Sequence, residues 1–370
     1  MPPAAKSQGR RGRDADWAAD LPFETVLLHR VTGLWRNLAE TVFPGRAAEA
    51  GLANAHDRVV KALVSTGRRG AEWAVFEPGS PRPGCHSGFM SFDGDIFEGL
   101  PLPPGPEGRA DKATVALSAG ASTLALVNAE DHLSLFYVGD GPYKAQLKQL
   151  QSEAGALDRE LGFAKSEEYG WLSANPDHAG AGLVLSCDVC LFGLCVAGTL
   201  DASLRALDRL GFSTTPIFEP GPDSNLDAPG CLYRIASIRN AGSEDDIAGR
   251  MDAVCREVAR QEQNARISLV RGSSPDLRDF LARSVATGAY AATVGWEEAV
   301  DIAQAAFFAA DCSLLDIPRK SLQKLKRFAL DLSPEVIAEF AGKREIGAAP
   351  EEIRAAALNA IFRPLLRQLP

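Results

Sequence analysis

Two hydrophobic periods alternate along the first 270 residues, and only one of them continues afterwards. Glu24 to Val31 (ETVLLHRV) is apolar and β-branched enough for a strand. Residues 47–67 have helical spacing and stop at a glycine. Residues 77–110 concentrate prolines and glycines, which predicts a long irregular connection. Residues 113–138 alternate with period two and read as two strands around a turn. PYKAQLKQLQSEAGALDRELGF is an amphipathic helix, strands return at 182–190 and 231–238, and a helix at about 199–210 separates them. The next helix begins at Ser243 as N-cap, with acidic residues in its first turn. After about residue 271 only the helical period remains, over 275–288, 296–310, 319–329, 333–341 and 350–367. Asp276, Ser333 and Pro350 stand at plausible helix starts. These patterns predict an α+β part over 21–270, a helical part over 271–370, and a tail over 1–20.

The chain has 370 residues, enough for about two domains at roughly 150 residues each. Apolar residues make up 46% and charged residues 24%, ordinary for a soluble globular protein. A net charge of −9 argues against a general nucleic-acid binder. The one basic cluster, Lys6 to Arg13, has no apolar segment behind it, so it reads as tail rather than as a signal peptide or membrane anchor. Seven scattered cysteines do not form a disulfide framework, and a reducing cytoplasm fits them. Cys187 and Cys190 form a CxxC, but no second ligand pair or reactive setting accompanies it. The run LVLSCDVCLFGLCVAGTL reads as a buried strand entering a helix, and Asp188 in its middle argues against a membrane span. No metal site is expected. FFAADCSLL, 307–315, marks either a buried helix or an interface.

The candidate chemistry sits in NAEDHLSLF, Asn128 to Phe136, where Glu130, Asp131 and His132 follow a strand. Three ionisable residues there are either a catalytic edge or a solvated turn. An ordered set of stretches bears on the choice: HRVTGLWRNLAETVFP (29–44), LVNAEDHL (126–133), EYGWLSANPDHAGAGLVLS (168–186), QEQNAR (261–266), RSVATGAYA (283–291) and IRAAAL (353–358). In this order the chain resembles the bacterial protein-arginine kinases of the phosphagen (guanidino) kinase superfamily, from about residue 22 to 370. The resemblance implies an antiparallel sheet flanked by helices and followed by an all-helical C-terminal domain. It also implies transfer of the ATP γ-phosphoryl group, with Mg²⁺, to a guanidinium nitrogen of protein arginine. Such transfer rests on positioning and charge neutralisation.

Carried over residue by residue, Glu130 takes the catalytic carboxylate position, and Arg30 the first phosphate arginine, with Gly33 as a one-residue insertion. Arg36 falls on an arginine of structural character. Other positions depart from the pattern. Ala129 replaces a glutamate, and Thr32, Ser134, Val184 and Thr215 stand where phosphate arginines belong. Cys190 replaces a histidine near the adenine, and Asn175 the substrate-side cysteine; Pro176, Gly180 and Gly182 keep the turn. Pro220 stands at a loop glutamate for which Glu219, Asp223 and Asp227 are the candidate replacements, within a segment stiffened by Pro216, Pro220 and Pro222. Glu351 and Arg354 correspond to a phosphoarginine site, or are a helical i, i+3 pair. The expectation is a pseudokinase with weak or no ATP-dependent transfer, acting through a protein partner or ligand. The alternative is an active kinase for protein arginine. The resemblance also implies the Clp-type proteolysis machinery as a partner class.

Overall fold

The computed structural model describes residues 24–66, 73–76, 113–118, 123–139, 141–218, 228–238, 242–272, 274–330 and 348–368. Its centre is an eight-stranded, wholly antiparallel sheet. The strands are β1 (Leu27–Arg36), β2 (Trp73–Phe76), β3 (Thr114–Ser118), β4 (Thr123–Val127), β5 (Leu133–Gly139), β8 (Leu183–Cys190), β9 (Phe212–Pro216) and β10 (Leu232–Ser237), in the order β2-β3-β4-β5-β1-β8-β10-β9. A separate two-stranded hairpin pairs β6 (Lys165–Ser166) with β7 (Gly170–Trp171). Where the sequence predicts two strands over 113–138 there are three. NAEDH itself is the turn that separates the second from the third, entered through Asn128 at φ 56° and closed by the Asn128 N–H on the His132 carbonyl at 3.1 Å. The edge strand β9 is also absent from the sequence expectation; its Ser-Thr-Thr-Pro composition carries little apolar alternation.

Three helices cover one face: α1 (Glu49–Thr66), α2 (Tyr143–Leu161) and α5 (Glu244–Gly272). Period-two alternation sends Leu34, Leu135, Leu183, Leu185, Cys187 and Ile235 to that side, where they meet Leu147, Leu150, Met251 and Cys255 in the larger core. Ser243 caps α5 as expected, its Oγ accepting the Asp246 N–H at 3.2 Å. The opposite face, called here the second face, gathers Val31, Trp35, Val115, Leu124, Leu126, Phe136 and Val184.

Beyond β8 come α3 (Phe192–Val196) and α4 (Leu200–Arg209); beyond α5 come α6 (Pro275–Tyr290), α7 (Trp296–Asp311), α8 (Arg319–Leu330) and α9 (Pro350–Phe362). The later helices build their own core, yet Leu28, Cys190, Phe192, Cys231 and Leu232 from the sheet end enter it. FFAADCSLL begins as the buried end of α7, up to Asp311, with Phe307 and Phe308 fully enclosed, and leaves the helix over 312–315, where Leu314 is exposed. Arg266 ties the two cores together. Fully buried, it bonds the Glu262 carboxylate (2.5 Å), Asp311 Oδ2 (2.8 Å) and the Cys190 carbonyl (3.1 Å). Glu262 in turn caps α3 through the Gly193 and Leu194 N–H groups. Cys187 and Cys190, three apart on one strand, point to opposite faces and cannot share a metal. No described helix is long and apolar enough to cross a membrane.

Candidate functional site

Asn37, just past the end of β1, holds the NAEDH turn. Its Nδ2 donates to Asp131 Oδ1 at 2.7 Å and to the Leu172 carbonyl at 3.2 Å, while its Oδ1 accepts the His132 N–H at 3.1 Å. Asp131 is fully buried and also accepts the Ser173 hydroxyl and the Ala174 N–H, each at 2.7 Å. Burial raises its pKa despite these three donors. His132 Nδ1 accepts the Leu38 N–H at 3.3 Å, and burial lowers its pKa to about 4, so the ring is a neutral acceptor. Asp131 and His132 thus form the scaffold of the turn, and Glu130 is the member presented outward from it.

Glu130 keeps 15% side-chain exposure, with Oε2 3.2 Å from His178 Nδ1; neither atom has an aligned hydrogen-bond partner among the described residues. His178 lies in the 173–182 segment and tilts its ring against Trp35, centroids 4.5 Å apart. Trp35 is itself fully buried and meets Phe136 edge-on at 5.2 Å. Glu130 therefore sits over the second face of the sheet, at the Trp35 end.

The other expected positions separate by face. Ser134, Val184 and Thr215 lie on the second face: Ser134 pairs with Trp35, Val184 with Gly33, and Thr215 with Arg234. Arg30 and Thr32 do not. Thr32 donates to Gln146 Oε1 of α2 at 2.8 Å, and the Arg30 guanidinium lies 5.8 Å from the Tyr143 ring centroid, against the same helix. The structure therefore corrects the placement of Arg30 at the phosphates: the sheet stands between it and Glu130. The β1 positions that face the site are Val31, Gly33 and Trp35, and a Cβ on Gly33 would stand 2.5 Å from Trp35 Cζ3.

Among the described strand positions of the second face there is one arginine, Arg234, and Asp188 holds it by two bonds at 2.7 and 2.9 Å. A triphosphate needs several unengaged cations or backbone N–H groups. The glycine turn does not supply the latter, since the Gly180 N–H and carbonyl both bond Trp171. The described residues of this face do not fit the ATP phosphates that the resemblance implies.

The Asn175 side chain accepts the Asp177 N–H at 3.0 Å, turning the chain that brings Ser173 to Asp131. Cys190 is enclosed among the later helices and sulfur chemistry is suppressed there, its pKa pushed up to about 12 by burial. Glu219, Pro220, Asp223 and Asp227 lie outside the described residues. Arg36 is buried, donating to the Trp35 and Gly182 carbonyls and to Glu244 at 3.2 Å, and burial lowers its pKa to about 10. Glu351 and Arg354 are on α9, away from the turn. Arg354 Nη1 is 3.4 Å from Glu351 and bonds the Val294 carbonyl at 3.1 Å, the helical pair foreseen as one of the two readings. His178 was not singled out by sequence reasoning. The question that would have found it is which side chain of the 173–182 turn reaches Glu130.

Residues 95–265 match the family model described as ATP:guanido phosphotransferase, C-terminal catalytic domain. The protein-arginine kinase of an Exiguobacterium strain is 28% identical over 207 residues, covering 55% of this chain and 58% of that protein. That of Pelotomaculum thermopropionicum is 28% identical over 224 residues (59% and 60%), and that of Halothermothrix orenii 30% over 180 residues (47% and 50%). The chain thus spans about half to three-fifths of the curated relatives it matches. Among solved structures, lombricine kinase aligns with a TM-score of 0.52 at 17% identity, covering 70% of this chain and 72% of that one. The duplicated taurocyamine kinase from Schistosoma mansoni, with bound transition state analog components, aligns with a TM-score of 0.51 at 16% identity, covering 67% and 35%. Both show the likeness of fold. With the family match over 95–265 and the protein-arginine kinase relatives, this chain is similar to the ATP:guanido phosphotransferases, and among them to bacterial protein-arginine kinases.

Proposed function

We propose that this protein is a protein-arginine-kinase-like pseudokinase, with weak or no phosphoryl transfer, that works by binding a protein partner. The observation that carries the reading is the register of β1. Val31, Gly33 and Trp35 face Glu130, while Arg30 and Thr32 face α2. The space over Gly33 is taken by indole and phenyl rings. Ser134, Val184 and Thr215 supply no charge on the same face. Each charged hydrogen bond to a phosphate is worth about 1.5–3 kcal/mol. At about 1.4 kcal/mol per decade of rate, several missing contacts remove orders of magnitude in turnover. The partner class is a protein presenting arginine, of which the Clp-type proteolysis machinery is the family-suggested example.

One observation favours a second reading, an active protein-arginine kinase using Mg·ATP. Glu130 is retained and sheltered, with the His178 imidazole nitrogen 3.2 Å from its carboxylate. Thermal shift with millimolar Mg·ATP, together with phosphoarginine detection on a basic protein, separates the two. The pseudokinase reading expects no stabilisation and no product. A phosphoarginine product that disappears in Glu130→Gln overturns it.

A further inference from the structure

Beside the Glu130 turn runs a groove that the kinase reading does not use. One wall is the β6–β7 hairpin with Lys165, Glu168, Tyr169 and Trp171; the other is the start of α5 with Glu244 and Asp245. Gly180 and Ala181 form the floor, and the space is about 660 Å³, within the usual range for a binding cleft. The hairpin lies close over its floor because Gly170 has no side chain: at φ 71° a Cβ there would stand 2.4 Å from the Gly180 carbonyl oxygen. After Trp171 the same chain runs through Ser173 and Ala174 onto Asp131, so the groove leads to the site turn.

Its chemistry favours a cation. The Trp171 face is already taken by two cations of the chain itself, the Arg36 guanidinium at 4.1 Å and the Lys165 ammonium at 4.7 Å from its centroid, so the open part of the groove lies towards Tyr169. Arg36 is neutralised by Glu244. Glu168 and Asp245 are exposed and make no ion pair among the described residues. Tyr169 lines the same groove with 62% of its surface exposed and has no aromatic partner among the described residues. An exposed ring flanked by unengaged carboxylates suits a planar cation, which can stack on the one and pair with the other.

We propose that this groove docks an extended basic segment of a protein partner, with an arginine stacked on Tyr169 and paired with Glu168 or Asp245. The proposal deepens the partner-binding reading above and rests on it for the nature of the partner. Unlike that reading, it is tested without nucleotide.

The test is fluorescence anisotropy at low salt with the full chain and a labelled Gly/Ser peptide carrying three arginines. Peptides carrying three lysines or three glutamates serve as comparisons. The arginine peptide is expected to bind most tightly. Tyr169→Ala should weaken it about two- to fivefold, the range of an exposed cation–π contact. The double change Glu168→Gln with Asp245→Asn should weaken it by about tenfold and flatten the salt dependence, at roughly one salt-sensitive contact per charge. Asp57→Asn, an exposed carboxylate on α1, should leave it unchanged. All these side chains are exposed, so folding is preserved. Unchanged affinity in the groove variants, equal weakening by Asp57→Asn, equal binding of the glutamate peptide, or no binding at all would each overturn the proposal. Equal binding of the lysine peptide would overturn the assignment to arginine. An enzyme that makes phosphoarginine yet binds the peptide through these residues would remove the pseudokinase reading and leave the groove intact.

Discussion

Asn37→Ala tests whether the Glu130 turn is held as described. The change removes the donor to Asp131 Oδ1 (2.7 Å) and to the Leu172 carbonyl, and the acceptor of the His132 N–H (3.1 Å). A hydrogen bond to a buried carboxylate is worth about 1.5–3 kcal/mol, and a buried N–H left unpaired costs about 1–3 kcal/mol. The expected loss at neutral pH is about 3–5 kcal/mol, a large share of the stability of a typical domain. The pH dependence sharpens the test. The Asp131 pKa is already raised by burial, so its contribution is fully present below the unfolded value near 3.9 and lost as pH rises through the folded value. Losing the Asn37 donor raises the folded value further. The mutational cost should therefore be larger at pH 8 than at pH 4.5, by about the worth of the charged hydrogen bond. His132, whose folded pKa is lowered to about 4, destabilises wild type and variant alike as pH falls from about 6.5, and cancels in the difference. Urea unfolding followed by far-UV circular dichroism at both pH values measures this. A cost below about 1 kcal/mol, or one equal at the two pH values, would refute the clamp.

Three further outcomes follow from single contacts. Arg266→Met strands the Glu262 and Asp311 carboxylates in the core and should cost about 3–5 kcal/mol in thermal or urea unfolding, whereas a loss under 1 kcal/mol would mean the buried network is not formed. Gly33→Ala forces the new methyl against Trp35 and Phe136 and should cost about 1–3 kcal/mol, with near-UV circular dichroism reporting the displaced indole; a neutral effect would contradict the packing over Gly33. Cys187 and Cys190 should stay unreactive to a thiol reagent at pH 8 in the native protein and react only on unfolding, because both are fully buried and burial holds Cys190 near 12. Rapid native-state modification at either would contradict their burial.

Much of the fold was legible because its signals are local. The Ser243 cap, the long amphipathic helices and the alternation of β8 all appear at the expected places. The misses share a cause as well. NAEDH breaks the 113–138 run as a turn because Asn128 adopts positive φ, a conformation asparagine tolerates but does not announce. Strand β9 is held by pairing to β10 rather than by its own side chains, so no alternation marks it. Glu130 was singled out by its motif alone. Its contact with His178 was not, since 48 positions separate two side chains that only the folded sheet brings within 3.2 Å.

The placement of Arg30 turned on a question that a motif cannot answer. Matching it to a phosphate arginine required one inserted residue, Gly33, before LWRN. An insertion inside a strand is absorbed by a bulge, or else every following side chain changes face. The pairing of β1 with β5 runs unbroken from Arg30 opposite Gly139 to Arg36 opposite Leu133, and the irregularity against β8 falls between Leu27 and His29, before Arg30. No bulge exists where the insertion needs one. Arg30 consequently shares a face with Thr32 and Leu34, and the positions directed towards Glu130 are Val31 and Gly33. The exchange is also coupled in space. The Trp35 ring lies where any side chain at position 33 would begin, 2.5 Å from its Cβ. An arginine at 33 would thus require Trp35 to leave and Phe136 and His178 to repack. Restoring one phosphate arginine by a single substitution should therefore fail to restore nucleotide binding, because the indole excludes the side chain from its own position.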